Sequence, residues 1–131
     1  MSQGENYISM TKNVCLVAAL FTVSAMIYAG KPWQNFNLIG LISLLVFVAW
    51  AVSPYVLLHK RASIYLLAKQ NLVIFVCSIL VACFGIYCII DIFIHSDPQN
   101  GIVFVFLPGL QWIGVASAII ISNGNWAKSN K

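Results

Sequence analysis

Four long stretches without a charged side chain set the limits on what this chain can fold into: Asn13 to Gly30, Pro32 to His59, Gln70 to Ile90 and Pro98 to Ala127. A bilayer core about 30 Å thick needs roughly 20 apolar residues per helix, and each stretch holds one crossing. Four crossings take up about 80 residues of a chain in which 61% of 131 residues are hydrophobic and 8% are charged. What remains is short connections and two tails, which excludes a separate extramembrane domain, a dinucleotide fold or a nucleic-acid module. The reading is an all-α, integral membrane four-helix bundle with short loops, a single domain over residues 1–131. Its helices are expected at about 14–30, 36–58, 70–94 and 102–122, bounded by breakers. Gly30, Lys31 and Pro32 end the first. Ser96, Asp97, Pro98, Gln99, Asn100 and Gly101 form a polar turn before the fourth. A transmembrane barrel would show short segments of alternating character, which these uniformly apolar runs are not. The first run, preceded by Lys12 and followed by Ala29 and Gly30, has the flanks of a cleaved signal. It is long for a signal core, however, and another spanning segment follows almost at once, so retention is expected.

Basic residues on alternate sides of a four-pass chain give an orientation. Lys12, Lys60, Arg61, Lys69, Lys128 and Lys131 fall on one side and only Lys31 on the other, so the positive-inside rule places both termini and the second connection in the cytoplasm. The formal charge of +4 then reads as a topology signal with attraction to anionic headgroups, and no nucleic-acid partner is needed. His59, Lys60 and Arg61 fall short of the four to eight basic residues of a lipid-binding cluster. In the second connection Ala62, Ser63, Ile64, Tyr65, Leu66, Leu67 and Ala68 are mostly apolar. They form either an interfacial turn or, the favoured reading, an early start of the third helix near Ala62 with Lys69 snorkelling.

Helices in lipid associate through small residues and interhelical polar contacts. Cys15, Ala18, Thr22, Ala25 and Ala29 recur at spacings of three and four on the first helix, as do Ser78, Ala82 and Gly85 on the third and Gln111, Gly114 and Ala118 on the fourth. The second presents Gly40, Ser43, Phe47, Trp50 and Pro54. Such seams are ordinary bundle packing before they are anything else. The first and second helix pairs show no internal repeat. Tyr28, Trp33, Tyr55 and Trp126 read as interfacial anchors, whereas Trp50 and Trp112 lie deeper, where each indole must find an acceptor or accept lipid.

Asp91 is the one acidic intramembrane residue, about three positions before the outer end of the third helix, where water relieves much of the burial cost. Cys77, Val81, Phe84, Cys88, Asp91 and His95 follow at spacings of three or four, so Asp91 and His95 can touch across one turn. With Asp97 as a third oxygen donor they would form an outer cation or proton site; the plainer reading is a hydrated helix end whose Asp and His pair locally. The most unusual segment is Leu107 to Gly114. Pro108 frees the carbonyl of Phe104 and kinks the helix, Gly109 weakens it further, and Gln111 and Trp112 sit just beyond. Such a break either lines a polar cavity or is absorbed by neighbouring helices, with Gln111 hydrogen-bonding across the bundle. Cys15, Cys77, Cys83 and Cys88 make no CxxC motif and read as reduced packing residues; no metal site and no cofactor is implied.

Without a catalytic set, an enzyme is not expected; Asp91 with His95 is too little. Size and the near absence of extramembrane surface favour a protein that binds another membrane protein, or itself, through helix faces. It would be an accessory subunit or an immunity-type factor in a bacterial inner membrane. The alternative is an oligomeric channel or small-solute transporter with a polar path near Gln111 and Asp91.

Overall fold

The computed structural model describes residues 3–34, 37–65, 67–95 and 100–124, and they form four helices: α1 (Gln3–Gly30), α2 (Leu38–Ala62), α3 (Ala68–Ile94) and α4 (Asn100–Asn123). Each is long and apolar enough to cross a membrane. The expected Phe36, Leu66, the turn at 96–99 and the C-terminal Trp126, Lys128 and Lys131 lie outside the described residues, as do the side chains of Asn100 and Gly101.

α1 begins at Gln3 instead of near residue 14. No proline interrupts residues 3–13, Glu5 in the first turn suits the positive helix end, and the added turns have something to pack on. Tyr7 lies 5.7 Å from Phe75 between ring centroids, and Thr11 is fully buried. α2 begins one residue after Asn37, whose side-chain oxygen accepts from the Ile39 amide at 3.1 Å. It runs past 58 to Ala62 with His59, Lys60 and Arg61 in its last turn, where cations complement the carbonyl end of the helix dipole.

The early start of the third helix near Ala62 is therefore incorrect. The helical turn belongs to α2, it closes through the Ser63 and Ile64 amides on the Lys60 and Arg61 carbonyls, and α3 starts at Ala68. The packing order explains the apolar character of this connection. α1 lies beside α2 and α3, and α4 beside α3 and α2, while α2 and α3 meet only across the diagonal. The connection between them thus crosses the end of the bundle at which α1 begins and α4 ends, and there it buries Ala62 and Tyr65. We call this the tail end and the opposite one the head end.

The core comprises Cys15 and Ala18 of α1, Tyr55 and Leu58 of α2, Ile74, Val81 and Ala82 of α3, and Val115 and Ala118 of α4. Thr22, Ser78 and Gly85 are buried with it, Ala25 and Gly114 are half-buried, and α1 turns inward at Met26 while Ala29 stays exposed. The seam expected on α2 is a second correction. Gly40, Ser43, Phe47 and Trp50 are exposed, and the buried residues of α2 are Ala51, Pro54, Tyr55, Leu58 and Ala62. Only the second half of α2 is seated in the bundle.

After Gly30, the chain leaves α1 through Lys31, which takes a left-handed φ of 40° while its amide still bonds the Ile27 carbonyl at 3.1 Å. That backbone position is made for glycine and costs other residues about 1–2 kcal/mol. Lys31→Gly should therefore raise the melting temperature of the detergent-solubilised protein, followed by far-ultraviolet circular dichroism. An unchanged or lower midpoint would show that the Lys31 backbone stores no strain.

Candidate functional site

Midway along α4, Gln111 is 3% exposed and joins three helices. Its Nε2 donates to the Tyr55 hydroxyl of α2 at 2.9 Å and to the Val81 carbonyl of α3 at 3.2 Å. Thr22 of α1 borders the same small void as Tyr55, and its own hydroxyl donates to the Ala18 carbonyl at 2.8 Å. Gly85 makes the room: a Cβ there would stand 2.5 Å from both Gln111 Nε2 and Tyr55 Oη. All four helices thus meet in one buried polar junction, beside a void of about 10 Å³ bordered by Thr22, Tyr55, Pro108 and Gln111. That volume admits at most a single water. Tyr55, expected as an interfacial anchor, is 1% exposed and is instead the hub of this junction. Tyr55 lies with Ala51, Pro54, Leu58 and Ala62 on the side of α2 that the bundle covers, which its position near a helix end does not reveal.

Two proline-disrupted turns lie side by side above the junction. Pro54 has no amide for the Trp50 carbonyl, and the Ser53 hydroxyl donates to it instead at 2.7 Å. Trp112 Nε1 of α4 donates to that same Ser53 Oγ at 2.9 Å. In the opposite direction, Trp50 Nε1 donates to the Val105 carbonyl at 3.2 Å, in the turn of α4 that the ring of Pro108 splays. Both deep indoles have found acceptors, and each reaches a turn that a proline has opened on the neighbouring helix. Gly109 has nothing within 4 Å of where a Cβ would lie, so it makes room for no neighbour.

Asp91 and His95 do meet, with Oδ1 and Nδ1 3.1 Å apart, but their side chains are 54% and 74% exposed at the head end of α3. Of the line on which they were read, Cys77 and Val81 are buried, Cys88 is half-buried and Phe84 is exposed. Asp97, the expected third oxygen donor, lies outside the described residues. Cys83 is exposed on the α1–α3 groove and so is not a packing residue.

At the tail end a second polar layer accompanies the crossing connection. Gln70 Nε2 donates to the Ser122 carbonyl at 2.9 Å and Asn71 Nδ2 to the Tyr65 carbonyl at 3.0 Å. Thr11 Oγ1, Tyr65 Oη, Asn71 Oδ1 and Ser122 Oγ are buried and find no partner within the described chain. Their burial accompanies the diagonal connection, which no spacing in the sequence reveals.

Compared with protein-family models, curated proteins and solved structures, the chain shows no match.

The two glycines separate a packing requirement from a propensity effect. Gly85→Ala should destabilise the bundle by about 2–4 kcal/mol, since it overpacks the junction and displaces Gln111 and Tyr55. Gly109→Ala should stabilise it by about 0.5–1 kcal/mol. Gln111→Leu should cost about 1–3 kcal/mol, because it leaves the buried Tyr55 hydroxyl without the amide it accepts from. Unfolding in sodium dodecyl sulfate mixed micelles measures all three, and equal effects at residues 85 and 109 would contradict this picture of the junction.

Proposed function

We propose that the chain is a non-enzymatic, multi-pass membrane protein that acts by binding another membrane protein through a helix face, as an accessory subunit or immunity-type factor. Its four apolar helices sit in a lipid bilayer, which we take to be a bacterial inner membrane, with the tail end and both termini on the cytoplasmic side. The basic residues support this orientation, since Lys12, Lys60, Arg61 and Lys69 belong to the tail half and Lys31 to the head end.

The observation that carries the reading is the first half of α2. From Leu38 to Trp50 no residue is buried, although Gly40 and Ser43 supply the small side chains that let helix backbones approach in lipid. Among the described residues no helix covers Gly40 and Ser43. The same segment exposes Leu38, Ile39, Ile42, Leu45 and Val46 around this small-residue line, as the other helices expose Leu16, Leu20, Leu80 and Ile120. A polar path through one copy is disfavoured because the Gln111 amide nitrogen is already committed to Tyr55 and Val81, beside a void of about 10 Å³. A channel or transporter would have to be built between copies.

Photo-crosslinking from Ser43 in native membranes, followed by mass spectrometry, tests the assignment. A reproducible foreign membrane protein is expected at Ser43, lost on Gly40→Leu, and absent when the crosslinker is placed at Ile120. Adducts with lipid alone would overturn the reading. Adducts with itself alone, together with solute flux in liposomes, would replace it with the oligomeric channel.

A further inference from the structure

Four side-chain oxygens at the tail end have no partner in the described chain: Thr11 Oγ1 of α1, Tyr65 Oη of the connection, Asn71 Oδ1 of α3 and Ser122 Oγ of α4. Thr11 and Ser122 are fully buried, and Asn71 and Tyr65 are 2% and 6% exposed. The four belong to one layer. Cys77 Sγ donates to the Gly114 carbonyl at 3.6 Å, and about two turns nearer the tail on both helices Gln70 bonds the Ser122 carbonyl, so Asn71 and Ser122 stand at one height. Asn71 holds the connection through the Tyr65 carbonyl. Thr11 lies about one turn nearer the tail than Cys15, which shares a core cluster with Ala62, Tyr65 and Ile74. Direct pairing of Thr11 with Ser122 is denied, because α1 and α4 occupy opposite corners of the bundle and do not touch among the described residues.

A buried oxygen left without a partner weakens folding by roughly 5- to 150-fold, and here there are four of them. Their chemistry defines what serves them. Asn71 Nδ2 is spent on the Tyr65 carbonyl, so Oδ1 is a pure acceptor whose partner must donate a hydrogen or carry positive charge, which excludes an anion. A metal cation finds no carboxylate among the four, and Lys12 beside Thr11 and Lys69 beside Gln70 oppose it. Water donates to Asn71 and both donates to and accepts from the hydroxyls. Thr11, Ala62 and Ser122 bring short side chains to the layer, where larger ones would fill the space a water needs. Ser122 is the next-to-last residue of α4, so the layer lies at the border of the apolar helices, where water is at hand.

We propose that this layer is an internal water site, in which one or more bound waters bridge Thr11, Tyr65, Asn71 and Ser122 and so join α1 to α4. The helices around Gln111 are tied by direct bonds; at the tail end the tie is made through a guest. The site is a property of the isolated chain and does not depend on the partner reading above.

A double-mutant cycle on the purified full chain, unfolded in sodium dodecyl sulfate mixed micelles, tests the site. Thr11→Val and Ser122→Ala each remove one hydroxyl with little change of shape. Each should lower the folding constant about 3- to 10-fold, and the pair together no more than about the larger single change, because losing the water strands whichever hydroxyl remains. Ser117→Ala combined with Thr11→Val is the control: the Ser117 hydroxyl donates to the Ile113 carbonyl of its own helix at 2.8 Å, so those two effects should multiply. Tyr65→Phe with Ser122→Ala repeats the cycle if Thr11→Val does not fold. The inference fails if either single change strengthens folding, which would mean an oxygen with no partner at all. It fails equally if the effects of Thr11→Val and Ser122→Ala multiply as in the control, which would give each hydroxyl a partner of its own. A folding constant of the parent that rises in sodium chloride but not in choline chloride of the same concentration would put a cation in place of water and overturn it as well.

Discussion

One side-chain amide ties three of the four helices together in register. In an apolar surround, a carboxamide that gives up water must place its hydrogens on protein acceptors, and Gln111 does so on Tyr55 and Val81 at once. The choice is directional where apolar packing is not. Sliding α4 by one residue along α3 would take the amide off both acceptors, and rotating α2 would remove the Tyr55 hydroxyl. Leu58, Ile74 and Val115 fill the space around this point but accept many arrangements of similar volume. Gly85 belongs to the same device, because a backbone without a side chain is what lets an amide and a phenol meet at the centre.

The Trp–Pro pairs solve a different problem. Each proline costs its helix a hydrogen bond and opens a turn, which in isolation is a defect of several kcal/mol in hydrocarbon. Set side by side, the two defects become mutual binding sites: Trp50 reaches into the turn above Pro108 and Trp112 reaches the hydroxyl that repairs the turn above Pro54. The breaks therefore strengthen the α2–α4 contact while leaving α2 divisible into a seated half and an exposed half. Both properties come from the missing amide.

Helix number, type and approximate bounds were legible in the sequence because they follow from local quantities: runs of apolar residues and the breakers between them. The seams through Ala18 and Thr22, through Ser78, Ala82 and Gly85, and through Gln111 and Ala118 were legible for the same reason, as was the contact of Asp91 with His95, which needs only a spacing of four. What escaped depends on which helix neighbours which. The row Gly40, Ser43, Phe47 and Trp50 has the right spacing for a buried face, but all four residues are exposed and only its lower end, at Phe47 and Trp50, approaches α1 and α4. Tyr55 reads as an anchor because it is an aromatic close to the expected end of the second helix. The early extension of α1 to Gln3 was missed because Tyr7 and Thr11 gain their partners only in the assembled bundle.

The diagonal link between α2 and α3 has a consequence for how the molecule is made. α1 with α2, and α3 with α4, are each antiparallel neighbours joined by a short connection, so each pair is a hairpin complete in itself. The second hairpin therefore docks on the first across the diagonal of the bundle, and the bond from the Gln111 amide to the Tyr55 phenol exists only once the two are together.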